Sequence, residues 1–473
     1  MTVVLLGIDG LDPLVIEQHL DQLPTLGRLS AAGLVSRLES IFPPDSIPAW
    51  ITIFTGQAPA EHGVLESIDY LAKNKAAAFE AAPDLLRGRT FWDELSRRGY
   101  RVAVLNPFMA YPAWDVNGVM VSGPVFVDES EPSVTPSGAG FGSLPQLGGV
   151  VDFPNPKTMK AFLESSIETT REQVDFALRV LEKEQPDFLF LNILTIDRIQ
   201  HFVWRFADPD DPTYPGKSDL SNGIVAAYQA VDDCIDRFMT ALGPAGTLMA
   251  LSDHGHGRRC TRMVYVDELL RRAGLVATGN LGSRLRTFLL ERAKRAGLAI
   301  AYRFELEPQA YALARRIPGR KALKNSSYAV SGSQSLARVS RAFGRNSSGG
   351  IEIRAGLPEG ERERVRAVVI DLMQGLVDPA SGAPVCRWVK SREDVVDGEF
   401  AERFPDVLFE LEEEYGVDFG VFGPTFADDT MHRRISGGHR RDGVFLASRD
   451  LELQPRSLTD VFGCVVAAVD VRT

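Results

Sequence analysis

Val3-Val4-Leu5-Leu6-Gly7-Ile8-Asp9-Gly10 opens the chain with a short, nearly unbroken apolar run that stops at an aspartate. A half-buried strand would alternate apolar and polar residues; a run like this suits a parallel strand buried on both faces. The pattern returns twice. Phe188-Leu189-Phe190-Leu191-Asn192-Ile193-Leu194 leads into Thr195-Ile196-Asp197-Arg198-Ile199-Gln200-His201, and Thr247-Leu248-Met249-Ala250-Leu251 leads into Ser252-Asp253-His254-Gly255-His256-Gly257. Helical periods over 90–98, 156–184 and 224–242 alternate with these strands and with another at 101–106. Together they predict an α/β fold with a mostly parallel central sheet sandwiched by helices. In such sheets ligands bind beyond the carboxyl ends of the strands, where the three aspartates fall.

Working outward, the next informative stretch is Phe42-Pro43-Pro44-Asp45-Ser46-Ile47-Pro48-Ala49-Trp50. Pro43 and Pro44 end any earlier element, and Pro48 suits the first turn of a helix. Ser46 is thereby expected at or just before a helix N-terminus, where backbone N–H groups and the helix dipole favour an anion. Serine and aspartate are also ordinary helix caps, so this stretch alone does not define a site.

Composition bounds the class. The 473 residues are 44% apolar and 24% charged, as in a globular protein, with a net charge of -11 that argues against a general nucleic-acid binder. No apolar run reaches membrane-spanning length, and the first residues lack a basic leader. Cys234, Cys260, Cys386 and Cys464 are widely spaced and form no CxxC pair, which predicts reduced thiols. These features lead to the expectation of a cytoplasmic protein.

Among the seven histidines, His201, His254 and His439 sit in carboxylate-rich or glycine-flanked loops. Asp197 and His201 are four apart and share one side of a helical turn. Asp253 and His254 are adjacent and could face two neighbouring ions. This O,N donor set suits Zn²⁺, with Mn²⁺ as an alternative. The reading is two sites: Asp197, His201 and His439 for one ion, and Asp9, Asp253 and His254 with the Ser46 hydroxyl for the other. Two divalent ions about 4 Å apart can clamp a phosphoryl group and activate a serine hydroxyl that is otherwise too weak a nucleophile. His62 and His256 are read as supporting or packing residues.

The chain resembles the alkaline phosphatase superfamily, within it the type I phosphodiesterase/nucleotide pyrophosphatase family. The resemblance rests on Gly7-Ile8-Asp9-Gly10, Ser46-Ile47-Pro48-Ala49-Trp50, Thr55-Gly56-Gln57-Ala58-Pro59-Ala60-Glu61-His62-Gly63, Asp197 to His201, Ser252-Asp253-His254-Gly255 and Gly438-His439-Arg440-Arg441-Asp442-Gly443. Asp378-Pro379 and Pro405-Asp406-Val407 also resemble family stretches. It implies two bound zinc ions on the ligands just given, and a hydrolase that cleaves phosphate diesters or pyrophosphates through a phospho-Ser46 intermediate. Alternatives are a phosphomonoesterase, a phosphoryl or phosphonate-related transferase on the same scaffold, or a catalytically silent binding protein that keeps the fold. Serine stands where the family often has threonine. Ser67 occupies the place of a phosphoryl-binding asparagine and Ile47 that of an aromatic near the base, so both are candidate substrate-binding positions. Trp50 stands where sulfatases of the superfamily carry arginine, which argues against a sulfatase.

Residues 258–345 hold 19 Lys and Arg against 5 Asp and Glu, a local charge of +14 that leaves -25 for the remainder. The segment reads as a basic helical cap inserted into a discontinuous core of 1–257 and 346–473, with an amphipathic basic helix over 285–302. Its expected partner is a small-molecule or lipid-head phosphate ester, drawn in by charge, with peripheral contact to an anionic membrane as a further expectation and nucleic acid disfavoured.

Overall fold

The computed structural model describes residues 2–65, 83–124, 131–147, 154–278, 334–429 and 431–470, with scattered positions between 282 and 306. In chain order the strands are β1 (Val3–Ile8), β2 (Val35–Glu39), β3 (Val102–Leu105), β4 (Gly118–Ser122), β5 (Ser133–Thr135), β6 (Phe188–Ile193), β7 (Thr247–Leu251), β8 (Gly255–Arg258), β9 (Arg262–Tyr265), β10 (Ala337–Val339), β11 (Ser348–Ile353), β12 (Cys386–Ser391), β13 (Val407–Leu411), β14 (Tyr415–Asp418), β15 (Phe426–Asp428), β16 (Gly437–Arg440) and β17 (Asp442–Ala447). The helices that matter below are α1 (Pro13–Gln18), α2 (Pro24–Ala31), α3 (Ser46–Thr55), α4 (Phe91–Arg97), α5 (Met159–Glu184), α6 (Thr195–Ala207), α7 (Gly223–Leu242), α8 (Val266–Arg272), α9 (Glu359–Gln374) and α10 (Val461–Asp470).

The described residues fall into two compact units, Met1–Arg258 with Ile435–Thr473, and Arg259–Arg434. The first is built on a sheet of order β2-β17-β7-β1-β6-β3-β4-β5. Its centre, β7 through β4, is parallel; β17 and β5 run antiparallel to it, and β2, beyond β17, returns to the direction of the centre. The uniform apolar runs are explained by burial on both faces. Val4, Leu6 and Ile8 of β1 face a core shared with α2, α5 and α7, while Val3 and Leu5 face the opposite core, shared with α3, α4 and α10. Successive side chains of a strand point to opposite faces, so neither face of the run tolerates a polar residue.

On the second face the aromatic residues lock α3 down. Phe54 lies 4.8 Å from Trp92 and 5.6 Å from Phe190 between ring centroids, both edge-to-face. Such pairs each add about 0.5–1.5 kcal/mol beyond the area they bury. The helix starts at Asp45, whose side chain accepts the Ile47 N–H, and stops at Gly56 in the left-handed region at φ +70°.

The second unit has its own core. Strands β10-β11-β13-β12 form an antiparallel sheet, and β14-β9-β15 a smaller one. Val264 and Val266 share that core with Ile351, Val369 of α9 and Val407. This corrects the expected return to the main core at residue 346: the strands after that point pair within the second unit, which continues to Arg434. The charge bias ends near 345, but charge composition does not decide which strands pair. The basic helix expected over 285–302 lies largely outside the described residues. All four cysteines are free, as expected. No helix among the described residues is long and apolar enough to cross a membrane.

Candidate metal centre

The three aspartates leave adjacent strands of the parallel centre. Gly7 of β1 pairs with Leu251 of β7, and Ile8 with Ile193 of β6, so the chain exits side by side at Asp9, Asp197 and Asp253. Asp197 and His201 sit four apart in α6, whose first turn follows β6. His254 follows Asp253 directly. His439 lies on β16, which pairs antiparallel with β8 and places His439 opposite His256.

At the second predicted site the carboxylates are held from behind. Trp50 Nε1 donates to Asp9 Oδ2 at 3.0 Å, and the Gly10 N–H donates to Asp253 Oδ1 at 3.2 Å. The other oxygens face inward. Asp9 Oδ1 lies 3.4 Å from Ser46 Oγ and 3.7 Å from His254 Nε2; Asp253 Oδ2 lies 3.4 Å from His254 Nε2 and has no hydrogen-bond partner although fully buried. Ser46 Oγ is 3.1 Å from His254 Nε2. Burial, then the charges of Asp253 and Asp197, push the Asp9 carboxyl well above the usual carboxylate range, and burial followed by Asp197 does the same to Asp253. A divalent cation would relieve both.

The first predicted site is built the same way. His201 Nδ1 lies 2.9 Å from the Gly437 carbonyl, His439 Nδ1 3.0 Å from the Pro44 carbonyl, and His254 Nδ1 3.0 Å from the Gly255 carbonyl. A carbonyl only accepts, so each Nδ1 carries the proton and each Nε2 presents a lone pair. His201 Nε2 and His439 Nε2 then face each other at 3.1 Å, with Asp197 Oδ2 3.3 Å from the former. Two lone pairs at that distance are mutually repulsive unless a cation lies between them. The stacked rings of His254 and His439, 3.9 Å apart, make the two clusters neighbours. These donors fit divalent metal ions: Asp197, His201 and His439 form one group within ligand distance, and Asp9, Asp253 and His254 another.

Ser46 is the first residue of α3, with Asp45 as its cap. Asp45 takes the Ile47 N–H and Pro48 has none, which leaves the Ser46 amide as the donor at this helix end. The residue reading missed the roles of Trp50 and Asp12. Asp12 caps α1 and its Oδ2 accepts the His256 N–H at 3.0 Å; an aspartate directly before Pro13 was the available signal. His62 is a packing residue, its Nε2 3.1 Å from Thr52 Oγ1 and its ring held neutral by burial, with a pKa lowered to about 4. Ile47 requires a correction. It is fully buried in the apolar core beneath α3 and offers no surface to a substrate, because a helix that seats Trp50 on the sheet turns Ile47 inward as well. Ser67 lies outside the described residues. Asp378 and Asp406 belong to the second unit, where Asp378 holds Arg262 and Tyr415, and Asp406 holds Arg362 and the Ile353 N–H.

A doubly flanked parallel sheet with two Asp/His clusters at its strand ends, one beside a helix-terminal serine, defines a metal-dependent phosphoryl hydrolase. The chain belongs to the type I phosphodiesterase/nucleotide pyrophosphatase family, whose model matches residues 3–420. Among solved structures, phosphonoacetate hydrolase from Sinorhizobium meliloti 1021 with phosphonoformate covers 99% of this chain and 96% of its own, at a TM-score of 0.53 and 15% identity. The same hydrolase with phosphonoacetate gives 0.54 at the same identity and coverage. Human ectonucleotide pyrophosphatase/phosphodiesterase 5 covers 99% of this chain and 95% of its own, at a TM-score of 0.48 and 13% identity. At these identities the first two speak for the fold alone. No curated protein matches the chain.

Proposed function

We propose that the protein cleaves phosphate diesters or pyrophosphates through a covalent intermediate on Ser46. The observation that carries this reading is the position of the Ser46 hydroxyl, 3.1 Å from His254 Nε2 and 3.4 Å from Asp9 Oδ1 at the start of a helix. Two divalent cations, zinc being the best match to the donors, would lower the pKa of that hydroxyl and offset charge on the phosphoryl oxygens. Asp9, Asp253 and His254 would hold the ion nearer Ser46, and Asp197, His201 and His439 the other.

In the first step Ser46 Oγ attacks phosphorus. The Oγ–P bond forms, the bond to the leaving oxygen breaks, and the proton from Oγ leaves with the departing group or to solvent. The Ser46 amide and the N-terminal end of α3 face the charge that builds on the phosphoryl oxygens. Water then attacks phosphorus from the side the leaving group vacated, the Oγ–P bond breaks, and Ser46 regains its proton. Asp197, His201 and His439 retain some solvent exposure, while Asp253 and His254 are closed over, so the substrate approaches from the first cluster. The strong positive charge of residues 258–345 suits an anionic substrate.

The test compares the zinc-loaded protein on a nitrophenyl thymidine 5′-phosphate diester, nitrophenyl phosphate and phosphonoacetate. Faster turnover of the diester is expected. Preference for the monoester would replace this reading with a phosphatase, and preference for phosphonoacetate with a phosphonate hydrolase. Ser46→Ala should lose at least about a thousandfold in kcat while it keeps its metal. Full activity in that variant would eliminate the covalent route.

A further inference from the structure

His256 stands apart from the other histidines of the centre. His201, His254 and His439 each direct Nδ1 at a backbone carbonyl and Nε2 at the cluster. The His256 ring is almost completely buried, and its Nδ1 lies 3.0 Å from Asp197 Oδ1; neither atom has a hydrogen bond elsewhere. The backbone holds this ring in place. Its N–H is tied to Asp12 Oδ2, while Asp12 Oδ1 accepts the Leu14 and Val15 N–H groups at the start of α1. The ring edge meets His201 at 4.6 Å between centroids, and its face lies over Trp204 at 6.0 Å.

The strand opposite is shaped to admit it. A Cβ on Gly437 would lie 2.5 Å from His256 Nε2 and 2.3 Å from the Gln200 carbonyl. Only glycine fits, and the carbonyl of that glycine accepts the His201 proton. One strand position therefore seats His256 and orients His201. The side chain that these constraints bring to Asp197 is a ring with a single N–H in the neutral state, facing a buried carboxylate oxygen that has no other hydrogen-bond donor.

We propose that His256 is a positioning residue of the metal centre: its Nδ1–H takes Asp197 Oδ1, which turns Oδ2 toward the Nε2 atom of His201. The assignment rests on the reading of Asp197, His201 and His439 as a metal site. A carboxylate with one oxygen tied cannot rotate both toward the ion, so Asp197 binds through one oxygen and the geometry around the His201–His439 pair is set before the ion arrives. Loss of such an outer hydrogen bond commonly weakens metal binding about 10- to 100-fold.

Zinc affinities from chelator competition test this in the full chain. His256→Met and His256→Gln are close in volume, but only glutamine can donate to Asp197. The methionine variant should lose about 10- to 100-fold at one of two sites, and the glutamine variant should recover most of the loss. Wild-type affinity in His256→Met, or equal loss in both variants, would overturn the inference. A wild-type protein that binds no zinc would instead overturn the metal-site reading beneath it. Ring ¹⁵N shifts of His256 in the wild-type protein address the same point without a substitution: a proton on Nδ1 is expected, and a proton on Nε2 with Nδ1 bare excludes the proposed bond.

Discussion

Trp50 links the core to the chemistry in one side chain. Its ring packs among Phe54 and Phe190, and its Nε1–H is the donor that orients Asp9. Replacing it with phenylalanine keeps an aromatic body and removes only the donor. Asp9 Oδ2 is then a buried acceptor without its partner, a loss of about 1–3 kcal/mol. Trp50→Phe should weaken metal binding at the Asp9–Asp253–His254 site about tenfold and leave the Asp197 site intact. Chelator competition with site-resolved stoichiometry reads this, and equal weakening of both sites would show that the effect is a general loosening.

At the level of elements, the placement of α3 against β1 governs how well Ser46 is held. The two approach closely at Gly7, where a Cβ would stand 2.6 Å from Trp50 Cη2 and 3.1 Å from Asn192 Oδ1. A methyl group there forces the helix outward or Trp50 off its rotamer. Gly7→Ala should cost about 1–3 kcal/mol in denaturant unfolding and depress turnover in step, since Ser46 and the anchor of Asp9 ride on the same helix. Unchanged stability would mean that α3 has more room to yield than its aromatic seat implies.

Across the whole molecule, the centre joins β1, β6, β7 and β16, so bound metal should stabilise the unit that contains them. A ligand bound only by the folded state at a thousand times its Kd contributes about 4 kcal/mol. Chelation should lower the unfolding temperature of that unit, and added zinc should restore it. The pH dependence has a definite sign. Without cations the Asp9 and Asp253 carboxyls are held well above their ordinary range. Their favourable contribution to folding is therefore full below that ordinary range and lost as pH rises through the elevated values. The drop caused by chelation should be larger near pH 8 than near pH 5. A drop of equal size at both, or none after the metal has been removed, would separate the carboxylates from stability.

What the sequence by itself determined follows from local rules. A parallel strand buried on both faces must be apolar throughout, so β1, β6 and β7 were visible as runs, and the aspartates that end them marked the ligand edge of the sheet. The i,i+4 pair Asp197 and His201, and the proline-bounded start of α3, were legible for the same reason. Only the tertiary structure decided the partners: Trp50 on Asp9, three carbonyls on three histidine Nδ1 atoms, His256 against Asp197, Ile47 turned into the core, and the strands after 346 paired within a second unit. Apart from the bond between His254 and the adjacent Gly255 carbonyl, those contacts join residues tens to hundreds of positions apart, or depend on which face of a helix is driven against the sheet. Packing and the burial of polar atoms select among them, and no local period in the chain encodes that choice.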